Sequence, residues 1–398
     1  MIKKYILFIF LFTLFTFSLC FSTTLFATSI SYWDAQRKGT NIFNAEVTPA
    51  DWQAAASANI NIIRLAPDKW RGAQRDFLIG NADNYTGLVA ADLAKLKKIL
   101  DDAHKNNIKV ILTMLNLPGH RWRQLNGDRD DNRLWRDEKY QQQAIQFWQD
   151  LATALRHHPA IAAYNFLNEP HPEIMLGYED FTMHDFRKFA DKVAGTPADL
   201  SRFYQKMVTA VRAVDATTPI ILDVGLYADP RAFTYFKPVQ GAHILYAFHM
   251  YEPYDYTNKP RNNGKYRYPG KMIIGKNKKI IDMNKEKLAA IYFAPVIAWQ
   301  QQYQVPASRI IAAEFGGHRM TPGLEQYFRD LLSIFQQQKW HWAFYSFRED
   351  TWDGMDYELG RKPLGAAYWE AVQRREKPPL TRQSSHPAWQ VLQQELVG

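Results

Sequence analysis

The sequence predicts an α/β fold, a single (β/α)8 barrel. Three observations predict it: eight short apolar runs, helix-patterned segments between them, and polar residues gathered where the runs end. The runs are Ser29–Trp33, Asn61–Pro67, Lys109–Leu115, Ile161–Glu169, Pro219–Gly225, His243–Tyr251, Arg309–Gly316 and His341–Arg348. Several are continuous in apolar residues, as expected of strands buried on both faces.

The intervening segments have helical spacing. Thr48-Pro49-Ala50-Asp51 opens one, with Thr48 as N-cap and Pro49 at the first helical position. Leu93, Leu96, Ile99 and Leu100 form an apolar stripe within Leu88–Asn106. Tyr140–Arg156, Leu200–Val214, Lys285–Gln302, Leu324–Gln338 and Ala366–Arg374 behave alike. Strand–helix repetition of this kind closes a barrel. A doubly wound open sheet competes, but it usually carries a glycine-rich phosphate turn after its first strand, and none is present.

The chain has 398 residues, 46% of them hydrophobic, enough to bury one large core. Met1-Ile2-Lys3-Lys4, an apolar run to about Phe26, and the small residues Ala27, Thr28 and Ser29 form a secretory leader pattern. Cleavage after Ala27 is expected, leaving residues 28–398 as one catalytic domain outside the cytoplasm; an uncleaved membrane anchor is the alternative. Cys20, the only cysteine, lies in this leader, and Leu19 before it is too large for a lipoprotein site. The mature chain therefore forms no disulfide, and a domain of this size needs none. It keeps 47 basic residues against 40 acidic ones, a net +7. Such a charge can signal a nucleic acid or a membrane surface. Ten of the basic residues, however, fall between Lys259 and Lys287. A basic loop, either a solvated one or a mobile flap at a cleft edge, explains the charge better than a nucleic-acid groove.

A barrel places its active site at the carboxyl ends of its strands. Found there are Arg64, Asn168-Glu169-Pro170, His249 and Tyr251, Glu314-Phe315-Gly316-Gly317, and finally Arg348, Glu349 and Trp352. Glu169 and Glu314 each close an otherwise apolar run, where a carboxylate is costly unless paired or hydrogen-bonded. Either alone could belong to a salt-bridge network at the rim. Together they suit glycosidic cleavage, in which one carboxyl group protonates the departing oxygen and a second attacks or activates water. Arg64, His249 and Tyr251 can supply the charge and hydrogen bonds that give the two different tasks.

At these residues the sequence resembles glycoside hydrolase family 5, the cellulase-like retaining β-glycosidases. The resemblance runs from about Ile30 to Trp369. It rests on Arg64-Leu65-Ala66-Pro67, Leu117-Pro118-Gly119, Asn168-Glu169-Pro170, His249-Met250-Tyr251 and Glu314-Phe315-Gly316, in that order. It implies Glu169 as acid/base and Glu314 as nucleophile. Asn168 would bind the sugar hydroxyl beside the reacting carbon, Arg64 and Tyr251 would hold the nucleophile, and His249 would contact acid/base or sugar. The family usually has a histidine after the third strand; here Asn116 or His120 stands in its place. Near the family's tryptophan platform stands Phe347, and Trp352 is expected to serve instead.

Other chemistries fit poorly. His157-His158 and His171 lack metal-ligand spacing, and no Gly-x-Ser-x-Gly elbow is present. No metal or cofactor is expected. Glu349, Asp350, Asp353, Asp356 and Glu358 read mostly as a solvated rim, with Asp353 or Asp356 placed to bind a distal sugar. The expected partner is a β-linked polysaccharide or oligosaccharide, β-1,4-glucan first and mannan next, handled by a monomer. A carbohydrate-binding pseudoenzyme on the same barrel is the alternative, but it should lack one carboxylate, and both are present.

Overall fold

Apolar runs, once paired edge to edge, close into a barrel of eight parallel strands. In this computed structural model residues 28–397 are described, apart from 179–182, 275–277, 351, 375, 377, 380–381 and the side chains of 183–185. The expected leader, residues 1–27, lies outside the described residues. The barrel strands are β1 (Lys38–Ile42), β2 (Ile62–Leu65), β3 (Lys109–Thr113), β4 (Ile161–Asn165), β5 (Ile220–Asp223) and β6 (Ile244–Met250). A hairpin of β7 (Gly270–Ile274) and β8 (Lys279–Met283) interrupts the series before β9 (Ile310–Phe315) and β10 (His341–Phe344) complete it. The closed order is β1-β10-β9-β6-β5-β4-β3-β2. Among the described residues no helix is long and apolar enough to cross a membrane.

The helices dress the barrel with one apolar face each. Glu138–Leu155 starts where the Asp137 side chain accepts from the Lys139 amide, and buries Ala144, Phe147, Trp148, Leu151 and Leu155. Leu200–Arg212 starts the same way, with Asp199 accepting from Arg202. The helix Pro387–Val397 buries Trp389 and Leu392 near β1, and its Trp389 ring lies against Phe344 and Phe347.

The first strand is not Ser29–Trp33. Residues Ile30–Asp34 form a 3-10 turn, and β1 is the polar segment Lys-Gly-Thr-Asn-Ile. The apolar signal failed here because Thr40 and Asn41, on opposite faces of the strand, are both buried and satisfy their polar atoms on backbone. Thr40 Oγ1 donates to the Phe344 carbonyl at 3.0 Å, and Asn41 Nδ2 donates to the Ala313 carbonyl at 2.9 Å. Gly39 is required by close approach, since a Cβ there would lie 2.2 Å from the Ile62 carbonyl. The apolar run has another task. Trp33, wholly buried, packs with Ile62, Ile111, Ala162, Ile221 and Ile311, and donates to the Ala162 carbonyl at 3.3 Å. It closes the floor of the barrel at the amino ends of the strands.

The basic stretch from Lys259 to Lys287 contains the β7–β8 hairpin, and most of its described lysines and arginines are exposed, as expected of a solvated charged segment. Met272 and Met283 are buried, and the nearby Tyr268 hydroxyl donates to Asp330 at 2.5 Å. The acids after β10 are also not a solvated rim. Asp350 accepts from the amides of Ala45 and Glu46, while Asp353 pairs with Arg319, Asp356 with Arg382 and Glu358 with Arg348. Glu349 accepts from Tyr345 and meets Lys69. With arginine partners, Asp353 and Asp356 pin the loop.

Replacing Trp33 with alanine should remove the floor without touching the mouth. We expect a loss of about 3–5 kcal/mol in stability, as for large-to-small changes in a core. Urea unfolding checks it, and an unchanged midpoint would show that the floor contributes nothing.

Candidate active site

Side chains on or just past β1, β3, β4, β5 and β9 converge on one guanidinium. Arg64, from β2, is fully buried and uses its donors in every direction. Nε donates to Asn165 Oδ1 at 2.9 Å, and Nη1 donates to Glu314 Oε1 at 2.6 Å and Asn41 Oδ1 at 3.2 Å. Nη2 donates to Asn168 Oδ1 at 2.8 Å and Asp223 Oδ2 at 3.3 Å. The planar fork fixes all of these acceptors in angle as well as distance.

Glu314 is aimed by a β-bulge. Between Phe248 and His249 the register of β6 on β9 slips, so that Phe248 faces Ala312 but His249 faces Glu314. The extra residue, Ala313, turns its carbonyl to Asn41. The carboxylate then lies between two donors, Arg64 on Oε1 and the Tyr251 hydroxyl on Oε2 at 2.7 Å. Burial first, then the charge of Glu314, raises the Tyr251 hydroxyl well above its usual range, so it stays a donor.

Glu169 sits just past β4 in a left-handed conformation, φ 49°. That conformation costs a non-glycine residue about 1–2 kcal/mol. The neighbouring bonds hold it: the Glu169 amide donates to Asp223 Oδ2 at 3.2 Å, and the Asn168 amide donates to the Met114 carbonyl at 2.8 Å. Its carboxyl group meets His249 Nδ1 at 2.8 Å. Burial raises the Glu169 carboxyl; His249 pulls it down, and the charge of Glu314 pushes it up again. The net direction is upward, towards a proton-carrying acid. For His249, burial opposes the charged form. The charges of Glu314 and Asp223, with hydrogen bonds to Asp223 and Glu169, outweigh it and push the imidazole up to about 10.

Six of the nine residues singled out in the sequence meet here: Arg64, Asn168, Glu169, His249, Tyr251 and Glu314. Asn116 and His120 do not join them. Asn116 accepts from the Trp122 amide at 2.6 Å and ties down the loop after β3. His120 is fully buried against Trp135 and His171. Trp352 is exposed beside His318 and touches neither glutamate through a hydrogen bond or ring contact. Phe347 is buried under Trp389. Just past β10, the Tyr345 hydroxyl is raised well above its usual range by burial and by the charge of Glu349, with smaller contributions from Glu314 and Glu169.

Sequence reasoning passed over Asp223, Asn41 and Asn165. Asp223 is the most consequential, since it meets Arg64, the Glu169 amide, Asn165 and His249. Its signal was a charged residue ending the apolar Ile220-Ile221-Leu222, the same sign that marked the two glutamates.

One oxygen each from Glu169 and Glu314 and a nitrogen of His249 lie within 4.8 Å of one another. These are metal-ligand atom types. Yet Glu314 already faces a guanidinium on one oxygen and a phenol donor on the other, and His249 Nδ1 is engaged by Glu169. The donor set therefore fits protons and a sugar better than a cation.

A closed (β/α)8 barrel with two facing carboxyl groups at its mouth holds the parts that glycoside hydrolysis needs. The particular family follows from comparison: the model for cellulase, glycosyl hydrolase family 5, matches residues 23–351, and the chain belongs to that family. It is an O-glycoside hydrolase. No curated protein matches the sequence. Solved structures share the fold. The endoglucanase Cel5A of the hyperthermophilic Thermotoga maritima is 13% identical, with a TM-score of 0.62 over 92% of this chain and 100% of that one. Endoglucanase Cel5A of Pseudomonas stutzeri is 18% identical, TM-score 0.58, over 93% and 97%. The cellulose synthase subunit Z of Clostridioides difficile is 13% identical, TM-score 0.59, over 90% and 99%.

His249 should remain an imidazolium well above neutral pH. Because its folded pKa is raised, its stabilising contribution is full below the unfolded value of about 6.5 and is lost as pH rises towards 10. Replacing Asp223 with asparagine removes one of the charges and should lower the midpoint of the His249 ring signals in an NMR titration. A midpoint near 6.5 in the unchanged protein would contradict this account.

Proposed function

We propose that this hydrolase cleaves β-1,4-linked glucan, with mannan as the next candidate, by double displacement with retention of configuration. The observation that carries the reading is the spacing of the two carboxyl groups, with oxygens within 4.8 Å. Retaining pairs stand about 5–5.5 Å apart, whereas inverting pairs need about 6.5–9.5 Å to admit water. The fold neighbours support the substrate class: Thermotoga maritima Cel5A has been solved with cellobiose and with mannotriose.

In the first step Glu314 attacks the anomeric carbon while the bond to the departing oxygen breaks, and that oxygen takes the proton of Glu169. Water then attacks the same carbon, gives its proton to Glu169, and releases the sugar from Glu314. Arg64 and Tyr251 orient the nucleophile, and Asn168, fixed by Arg64, presents its amide group to the sugar. Protein side chains and water balance both steps. A monomer exported behind the leader of residues 1–27 completes the reading, supported by Lys3, Lys4 and the apolar run before Ala27.

Proton NMR in the first minutes of hydrolysis should find the product sugar in the substrate's own configuration. Glu314→Gly should lose about a thousandfold or more in turnover and recover with azide, giving product of inverted configuration. An inverted first product from the unmutated enzyme would make Glu314 a base on water and overturn the mechanism.

The basic limb of the pH–rate profile should belong to Glu169, since activity needs its proton and is lost as pH rises through its elevated pKa. Glu169→Gln should abolish that limb for a substrate whose leaving group needs no proton. Its persistence would assign the acid elsewhere.

A further inference from the structure

The connection that leaves the carboxyl end of β6 carries the β7–β8 hairpin, an element the catalytic chemistry does not use. We propose that the outer face of this hairpin is a docking surface for an anionic lipid bilayer. Ile273 and Ile280 enter the headgroup layer, and the surrounding lysines and arginine meet lipid phosphates. The proposal does not depend on which glycan the enzyme cleaves.

Strand alternation sorts the hairpin into two faces. Met272 and Met283 turn inward and are buried, with Ile274 and Ile281 partly covered beside them. Lys271 and Ile273 turn outward, opposite Asp282 and Ile280. Ile273 and Ile280 are therefore cross-strand partners on the solvent face, and Ile280 is 67% exposed. A single exposed isoleucine needs no explanation. Here two are paired on a two-stranded sheet whose strands are both edges, the place where an apolar surface invites association. The root of the hairpin is ordered. The Tyr268 amide donates to the Pro322 carbonyl at 3.2 Å, the Tyr256 hydroxyl donates to the same carbonyl at 3.1 Å, and the His318 amide donates to the Thr257 carbonyl at 2.9 Å. These bonds tie the root to the loop that follows Glu314 on β9, at the end of the barrel where strand-to-helix connections gather.

Charge identifies the partner. The stretch from Lys259 to Lys287 holds ten basic residues against two acids, Asp282 and Glu286, so it carries nearly all of the chain's positive excess. Lys265, Arg267, Lys271, Lys278, Lys279 and Lys287 are exposed, and no carboxylate among the described residues stands in ion-pair range of any of them. A concentrated positive field around an exposed apolar pair matches an anionic bilayer. Each Lys or Arg near such a surface strengthens binding about fivefold, and apolar side chains add to it by entering the headgroup boundary. An acidic polysaccharide or a nucleic acid would answer the charge but leave the isoleucines in water. The outer strand face, Lys271, Ile273, Ile280 and Asp282, also offers no aromatic ring on which a sugar or base could stack. The hairpin thus governs where the enzyme sits and leaves Glu169 and Glu314 to turnover.

The test uses phosphatidylcholine vesicles, with or without about one quarter phosphatidylglycerol, in about 0.1 M salt, where charges act over about 10 Å. The full chain should cosediment about tenfold or more tightly with the anionic vesicles than with the neutral ones. Lys278→Gln with Lys279→Gln should weaken that binding about twenty-five-fold, about fivefold per charge. Ile273→Ser with Ile280→Ser should weaken it about tenfold or more. Both double variants should keep the wild-type unfolding midpoint and turnover, which separates lost docking from lost folding. Residues 1–27 are themselves basic and apolar, so a local reading is needed as well. With Cys20, the only cysteine, replaced by serine, an environment-sensitive fluorophore on Ile280→Cys should brighten and shift to the blue on anionic vesicles. The same fluorophore on Gln301→Cys, at an exposed position of the helix Ala294–Tyr303, should not. Equal binding to both vesicle types, unchanged binding in the double variants, or a silent label at position 280 would overturn the proposal. Retention on heparin or DNA that the lysine changes abolish, with the vesicles ignored, would also overturn it and assign the hairpin to an acidic polymer.

Discussion

Everything at the barrel mouth depends on satisfying one buried guanidinium. Arg64 has no solvent to donate to, so each of its N–H groups must meet an acceptor inside the barrel. The acceptors are six residues from five strands: Asn41 on β1, Thr113 on β3, Asn165 and Asn168 in and after β4, Asp223 on β5, and Glu314 on β9. Closing the barrel and assembling the site are therefore one event. The same bonds that pay for burying Arg64 leave Glu314 with its oxygens aimed and occupied.

The second organising group is Asp223, which turns a charge balance into a division of labour. It sits between Arg64 and His249 and also receives the Glu169 amide. Two cationic groups and three carboxyl groups share this space. Glu169 is the carboxyl group with the weakest claim on a cation, since its partner His249 is shared with Asp223 and Glu314. Burial raises its pKa, the charge of Glu314 adds to the rise, and the shared His249 does not reverse it, so Glu169 is suited to carry a proton. The bulge between Phe248 and His249 sets the sharing, because it brings His249 level with Glu314.

The barrel was legible wherever strands are apolar on both faces. Seven of the runs contain strands, though the runs at Ile161 and His341 continue past the last paired residues, Asn165 and Phe344, into loops. β1 was illegible because Thr40 and Asn41 are buried polar residues whose partners are carbonyls from β9 and β10, far away in sequence. The site was legible where a charged residue ends an apolar run and where a family pattern repeats it.

The Trp33 floor fixes a direction. The chain enters the barrel through the end that Trp33 seals, whereas the glutamates open at the other. The described chain therefore begins at the closed end of the barrel, and the catalytic mouth opens on the face opposite its first residues.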